Sequence, residues 1–160
     1  MSVNATKRGT TMNHPKSVGR FISCIYRYFH KHMHDQLQEY NLGSGQFHFL
    51  MILYQKDGVN QETLAEILHI DKATSARAIK KLEEQGFVTR KRDLNDRRNY
   101  NVFLTEKAKK LKPKIREMLR KWTKILLKDI SKEDEEKLFN LLEKIAQNAT
   151  EYHSTEEKND

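Results

Sequence analysis

Apolar positions recur at spacings of three and four along most of this chain, and at spacings of two in one short middle region. Val18, Phe21, Ile22, Ile25, Phe29, Met33 and Leu37 form the first stripe, which predicts a helix of about six turns ended by Asn41 and Gly43. Phe47, Leu50, Met51, Leu53 and Tyr54 crowd a second helix over 46–56 with an almost continuous apolar surface, the mark of a buried connector, and Gly58 closes it. A short helix then opens at Asn60, whose side-chain oxygen can accept a first-turn N–H, and turns Leu64, Ala65 and Leu68 inward. His69-Ile70-Asp71 makes a turn. Asp71 caps the next helix, of about four turns, which stops where Gly86 can adopt the left-handed conformation. Successive residues of that helix rotate by roughly 100°, so Ala76, Ile79 and Leu82 face the core while Thr74, Arg77 and Lys81 point away.

Beyond Gly86 the pattern changes. Phe87-Val88-Thr89-Arg90-Lys91-Arg92 and Tyr100-Asn101-Val102-Phe103-Leu104 read as two strands, joined through Asp93-Leu94-Asn95-Asp96-Arg97-Arg98-Asn99, a stretch of turn-formers with two arginines at its tip. From Thr105, Ala108, Leu111, Ile115, Met118, Leu119, Trp122, Ile125 and Leu126 form a stripe along a long helix. Pro113 either kinks it or, if the chain breaks near Leu111, begins a new first turn. A last helix opens at Ser131, with Glu133, Asp134 and Glu135 at its positive end, and is expected to bury Leu138, Leu141, Leu142, Ile145 and Ala149.

Helix, turn, helix and basic hairpin in that order make a mainly α fold with a small β wing, a winged helix-turn-helix flanked by long dimerisation helices. The signals divide the chain into a disordered tail over 1–14, an N-terminal dimerisation helix over 15–43, a DNA-binding lobe over 44–104, C-terminal dimerisation helices over 105–151 and a second tail over 152–160. The first, fifth and sixth helices carry more apolar surface than so small a lobe can cover. A two-fold homodimer would cover it and set two recognition helices about one DNA turn apart over a near-palindromic site.

Charge places the anionic partner. The formal net charge is +8, and residues 71–128 hold 19 Lys/Arg against 7 Asp/Glu, whereas residues 129–160 hold 4 against 10. The excess therefore lies on the recognition helix, the wing and the helix after it, where it suits nucleic-acid phosphates. On the recognition helix, Arg77 can bond guanine bidentately and the Thr74 methyl can meet thymine, with Lys81 beside them in the major groove. At the wing tip, Arg97 and Arg98 suit a minor groove, and Asp96 can orient the Arg98 guanidinium. Lys72, Ser75, Lys80 and Arg90 are read as backbone contacts, with packing as the other role open to Lys72, Ser75 and Lys80. A basic solvated face and a plain exposed hairpin are the alternatives for each element taken alone.

The run LAEILHIDKATSARAIKKLEEQGFVTRKRDLNDRRNYNVFLTEKA resembles the DNA-binding lobe of the multiple-antibiotic-resistance regulator (MarR) family. The likeness rests on the Leu64-Ala65 pair, on Leu82-x-x-x-Gly86-Phe87-Val88-x-Arg90, on the Asp96-x-Arg98 wing and on Leu104-Thr105, and it extends over about residues 16 to 150. It implies a dimeric transcription factor, most often a repressor, released from double-stranded DNA by a small aromatic or amphipathic anionic effector and requiring no cofactor. Arg27, His30 and Tyr54 are candidates to line such an effector's cleft, and equally ordinary packing or surface residues.

Other classes fit less of the chain. There is no phosphate-cradling glycine loop, no nucleophile with an identifiable base and no metalloenzyme spacing, so enzyme activity is not expected. His30 and His34 share a helical face, and Glu39, His48 or Cys24 could complete a zinc shell, but two ligands are not a site and no metal is assigned. Cys24 raises a redox sensor; matched to peroxide-sensing relatives, however, the reactive position falls near Gly19, so a buried inert thiol is the reading. The lone cysteine fits a reducing compartment, and no apolar run approaches a membrane span or secretory signal, which points to the cytoplasm. A protein-docking or nonspecific nucleic-acid-binding winged helix remains the alternative from another class.

Overall fold

The computed structural model describes residues 17–93 and 99–156, with side chains described as far as residue 152. The chain separates into two compact units, divided between Ser44 and Gly45. The first contains α1 (Val18–Leu37), opened by Ser17, whose Oγ accepts the Arg20 N–H, and a 3-10 turn, Gln38–Tyr40, ended by Asn41 at φ 55°. Met33, Leu37 and Leu42 are buried, whereas Val18, Phe21, Ile22 and Ile25 are exposed. The expected N-terminal tail over 1–14 lies outside the described residues.

Most of the second unit is helical: α2 (Ser44–Gln55), α3 (Gln61–Ile67), α4 (Lys72–Glu84), α5 (Glu106–Leu126) and α6 (Lys132–Glu156). The expected connector role of α2 is met: Phe47, Phe49, Leu50 and Leu53 are all buried. Its Tyr54 hydroxyl donates to the Ala108 carbonyl of α5 at 2.7 Å, and Lys112 of α5 donates to the Tyr54 carbonyl at 2.8 Å.

The sequence pattern predicts two strands, and the described residues contain three. Added to β2 (Val88–Arg92) and β3 (Tyr100–Leu104) is β1 (Val59–Asn60), and the antiparallel order is β1-β3-β2. Val59 pairs with Val102, while β2 and β3 run in register from Val88 opposite Leu104 to Arg92 opposite Tyr100. Two residues are too few for a period-2 pattern to register, so only the partner strand reveals β1. Gly58 feeds it at φ +74°; an added Cβ would stand 2.6 Å from Phe103 Cε1, which makes glycine doubly required.

Of the two readings open for Pro113, the structure has the first: it lies inside an unbroken α5, with no break near Leu111. Two other expectations about the helices need correcting. α6 runs to Glu156, beyond the expected end at 151, so the tail read as disordered from 152 begins as helix. Leu141, Leu142 and Ala149 are exposed and Leu138 and Ile145 half-buried within the single chain, rather than buried as the stripe predicted. Periodicity identifies an apolar face; it does not say whether the same chain supplies the cover.

Candidate nucleic-acid interface

The helix-turn-helix is assembled by local capping. Asn60 Oδ1 accepts the Glu62 N–H at 2.9 Å to start α3, and Asp71 Oδ1 accepts the Thr74 N–H at 2.8 Å to start α4. Between them His69 takes φ 50°, and its N–H returns to the Glu66 carbonyl, which ends α3 in a tight turn. α3 packs on α4, with Leu64 and Ala65 of α3 and Ile79 and Leu82 of α4 buried and Leu68 half-buried. At the far end Gly86, at φ +74°, lets the Phe87 N–H reach back to the Leu82 carbonyl at 2.9 Å.

This packing leaves the outer face of α4 open. Arg77 and Lys81 are exposed and Thr74 is half-buried, on the face that the helical period assigned to them. Arg77 Nη2 donates to Thr74 Oγ1 at 2.9 Å, which lays the guanidinium along the helix toward its N-terminus. Asp71 belongs to the same chain of contacts: hydrogen bonds from Thr74, with the Arg77 charge behind them, hold its carboxyl below the ordinary range. Two exposed cations and a hydroxyl are thus presented together on one convex helical face, which a major groove admits.

The structure redistributes the residues read as backbone contacts. Lys72 and Lys80 are exposed, the first 2.7 Å from Glu62 and the second 3.8 Å from Glu84. Lys72 also borders a small recess with Gln61, Glu62, Ala65, Asn99 and Tyr100, between the starts of α3 and α4 and the base of the wing. Ser75 is a correction: it has no accessible surface, and its Oγ has no hydrogen-bond partner among the described residues, so it packs inside and touches no phosphate. Ala76, predicted to face the core, is only half-buried. The inward arc is centred on Ser75, Ile79 and Leu82, one step from the predicted stripe. We expect Ser75→Ala to leave stability unchanged or raise it by about 1 kcal/mol, because it removes an unsatisfied buried hydroxyl. A loss above that size in urea unfolding would show that the hydroxyl has a partner.

Arg90 is the second correction. Its Nε and Nη2 donate to Glu83 Oε2 at 2.9 and 2.7 Å, its backbone N–H donates to Glu83 Oε1, and its guanidinium lies 5.5 Å from the Tyr100 ring centre. Its donors therefore tie the last turn of α4 to β2, the Tyr100 ring adds β3, and the residue read as a backbone contact acts as a strut between recognition helix and wing. Hydrogen bonding from Arg90 is the main reason the Glu83 carboxyl sits below its usual range. A depressed carboxyl stabilises the fold above its unfolded-state pKa of about 4.3, and that contribution disappears as pH falls through the lower folded value. Glu83→Gln should therefore lose stability at neutral pH and flatten the dependence below pH ~4.3. Urea midpoints measured from pH 7 to 3 check this, and parallel curves for the two proteins would exclude the strut.

The wing's described part is closed by the Asp93 N–H donating to the Asn99 carbonyl and by Asn101 Nδ2 donating to Asp93 Oδ2 at 2.8 Å. Arg92, two residues on from Arg90 and on the same face of β2, lies 6.0 Å from the Tyr100 ring centre. Asp96, Arg97 and Arg98, the tip residues singled out in the sequence, lie outside the described residues.

The candidate effector residues all have local roles. Arg27 donates to Ser23 Oγ at 3.0 Å, and the His30 ring sits 5.9 Å from that of Tyr26. Tyr54 is committed to Ala108, with Lys112 5.4 Å from its ring centre, and burial pushes its hydroxyl pKa up to about 12. His34 lies 3.0 Å from the Gln38 amide, Cys24 is a free, half-buried thiol, and the described residues contain no group of three or more His, Cys, Asp or Glu that could hold a metal. Among the described residues, no helix is long and apolar enough to cross a membrane.

Comparison with known proteins agrees with this geometry. The MarR family model matches residues 42–100, from the start of α2 to the wing. The uncharacterized HTH-type transcriptional regulator YybA of Bacillus subtilis (strain 168) is 34% identical over 129 residues, covering 81% of this chain and 86% of its own length. The crystal structure of a MarR transcriptional regulator from Methanosarcina mazei Go1 superposes with a TM-score of 0.82 at 45% identity, over 84% of this chain and 96% of that one. A MarR family regulator from Listeria monocytogenes, solved in complex with a 26mer DNA, is 33% identical with a TM-score of 0.76, over 83% of this chain and 89% of that one. The family model covers the helix-turn-helix and wing, the three relatives each span about four-fifths of the chain or more, and the chain belongs to the MarR family of winged-helix, DNA-binding transcriptional regulators.

Proposed function

We propose that this regulator works as a two-fold homodimer that represses transcription by occupying a near-palindromic double-stranded DNA site. The observation that carries the dimer is the exposed apolar surface of the long helices. Phe21 and Ile22 of α1, Ile125 and Leu126 of α5, and Phe139, Leu141 and Leu142 of α6 are each more than two-fifths exposed in the single chain. So much exposed apolar surface marks an interface, and a second copy covers it isologously. Thr74, Arg77 and Lys81 of each copy then read adjacent major grooves, Lys72 and Lys80 meet phosphates, and Arg97 and Arg98, supported by Asp96, enter the minor groove.

The role is one of binding, not catalysis, exercised on cytoplasmic DNA without a required cofactor. A small aromatic or amphipathic anion is the effector class we assign. It shifts DNA affinity only to the extent that it prefers the conformation unable to dock.

Sedimentation equilibrium at micromolar protein, with fluorescence anisotropy on the chain's own upstream duplex and on a randomised pool, tests the reading. A dimer with a salt-sensitive preference for the upstream duplex is expected. A monomer defeats the assembly, and equal binding to both DNAs assigns the surface to docking or nonspecific binding.

A further inference from the structure

Apart from the DNA-reading face, the strongest charge feature of the molecule is α5. Over Glu106–Leu126 it carries nine Lys/Arg and only two Glu. Lys110 and Lys114, and separately Arg116, Arg120 and Lys124, succeed one another four residues apart, and all five are exposed. Like charges at that spacing destabilise a helix, and alternating glutamates would have kept the same solubility without that cost. Of the outward cations, Lys109 and Lys121 are tied to Glu106 and Glu117 at 3.0 and 3.1 Å. Lys110, Lys114, Arg116, Arg120 and Lys124 form no ion pair or hydrogen bond with a described residue. Glu117 alone serves several of them: its carboxyl is held low first by the hydrogen bond and charge of Lys121, then by the charges of Lys114 and Arg120.

We propose that this face of α5 is a second polyanion-binding surface, which holds the phosphate backbone of a separate duplex DNA segment while α4 occupies its own site. Four residues of helix rise about 6 Å, close to twice the 3.4 Å axial spacing of phosphates along one strand, so the stripe offers roughly one cation to every second phosphate. α5 starts at the end of the recognition helix, where Lys107 Nζ donates to the Gln85 carbonyl at 2.7 Å. Arg116 to Lys124 lie roughly 14 to 26 Å further along, beyond the ~12 Å width of the groove that α4 would fill. The apolar stripe of Ile115, Met118, Trp122 and Leu126 is on the side of the helix opposite Arg116, Arg120 and Lys124, so dimerisation through that stripe leaves those three cations open. The chain's own acidic helix is a poor occupant, since Glu133 and Glu135 of α6 are already paired within it to Lys137 and Lys132.

The proposal rests on the protein being a DNA-binding regulator, and the test separates the two. An immobilised operator duplex is saturated with full-length protein, washed, and offered a fluorescent non-operator duplex over a range of salt. Wild type is expected to retain the second duplex, and Arg116→Gln/Arg120→Gln/Lys124→Gln to lose at least ten-fold of that retention while holding the operator as before. The log–log salt slope for the second duplex should fall by about 2 to 3, at ~0.9 per lost phosphate contact. A charge-preserving variant, Arg116→Lys/Arg120→Lys/Lys124→Arg, should retain it, and unchanged melting of all three proteins excludes misfolding. Operator bound with no second duplex retained by wild type, or retention unaffected in the glutamine variant, overturns the proposal. Failure of wild type to bind the operator at all overturns the underlying reading.

Discussion

Phe87→Ala is expected to cost about 3–5 kcal/mol of folding stability. The ring is fully buried between the end of α4 and the start of β2. Its backbone cannot close the space left behind. The Phe87 N–H is held by the Leu82 carbonyl at 2.9 Å, and its carbonyl accepts from both the N–H and the hydroxyl of Thr105, at 3.0 and 3.1 Å. Lys107 spans the position from above, with Nζ 4.3 Å from the ring centre. One residue therefore joins recognition helix, wing and α5, and a cavity there should loosen all three. Urea unfolding at unchanged m-value measures the loss, and Phe87→Leu should recover most of it. A loss below 1 kcal/mol for alanine would mean that the junction collapses freely and is not the keystone it resembles.

The second large effect is on recognition. Arg77→Ala should weaken binding to the specific site by about 1–3 kcal/mol, roughly 5- to 150-fold, with the loss confined to one base position in each half-site. The tether to Thr74 Oγ1 is the reason for so large a value, because a guanidinium already fixed on the exposed face gives up less conformational freedom on docking. Lys80→Ala is the contrast. It is expected to weaken all sequences alike and to lower the log–log salt slope by about 0.9, as a single phosphate contact does. Anisotropy on the operator, on single-base variants of it and on random duplex distinguishes the two behaviours. Equal losses on operator and random DNA for the arginine variant would reassign Arg77 to the backbone.

Much of the fold was legible because the relevant information is local. Asn60 and Asp71 cap helices by accepting N–H groups two or three residues ahead, and Gly86 ends α4 by adopting a conformation open to it at little cost. The recognition face was legible for the same reason. Thr74, Arg77 and Lys81 are placed by the helical period alone, and the cations of α5 by their spacing.

What failed was non-local. β1 has two residues and exists only because β3 supplies its hydrogen bonds. Ser75 looked like a surface hydroxyl, but α4 packs about an arc centred one residue earlier than its apolar residues suggest, and the serine is enclosed. Arg90 reads as one more cation in a basic strand until Glu83, seven residues away, takes its donors. The apolar stripes of α1 and α6, in contrast, are exposed in the single chain as their excess over the small lobe implied, although periodicity alone does not say which residues stay open.

The sequence by itself determined the order and type of the helices, their caps, the two long wing strands, the basic recognition face and the family, since each depends on residues within a few positions of one another. The tertiary structure alone decided the third strand, the burial of Ser75, the Glu83–Arg90 strut and the commitment of Tyr54 to α5. Each of these is a contact between groups whose separation in space is set by how the helices and strands pack, and no spacing along the chain records it.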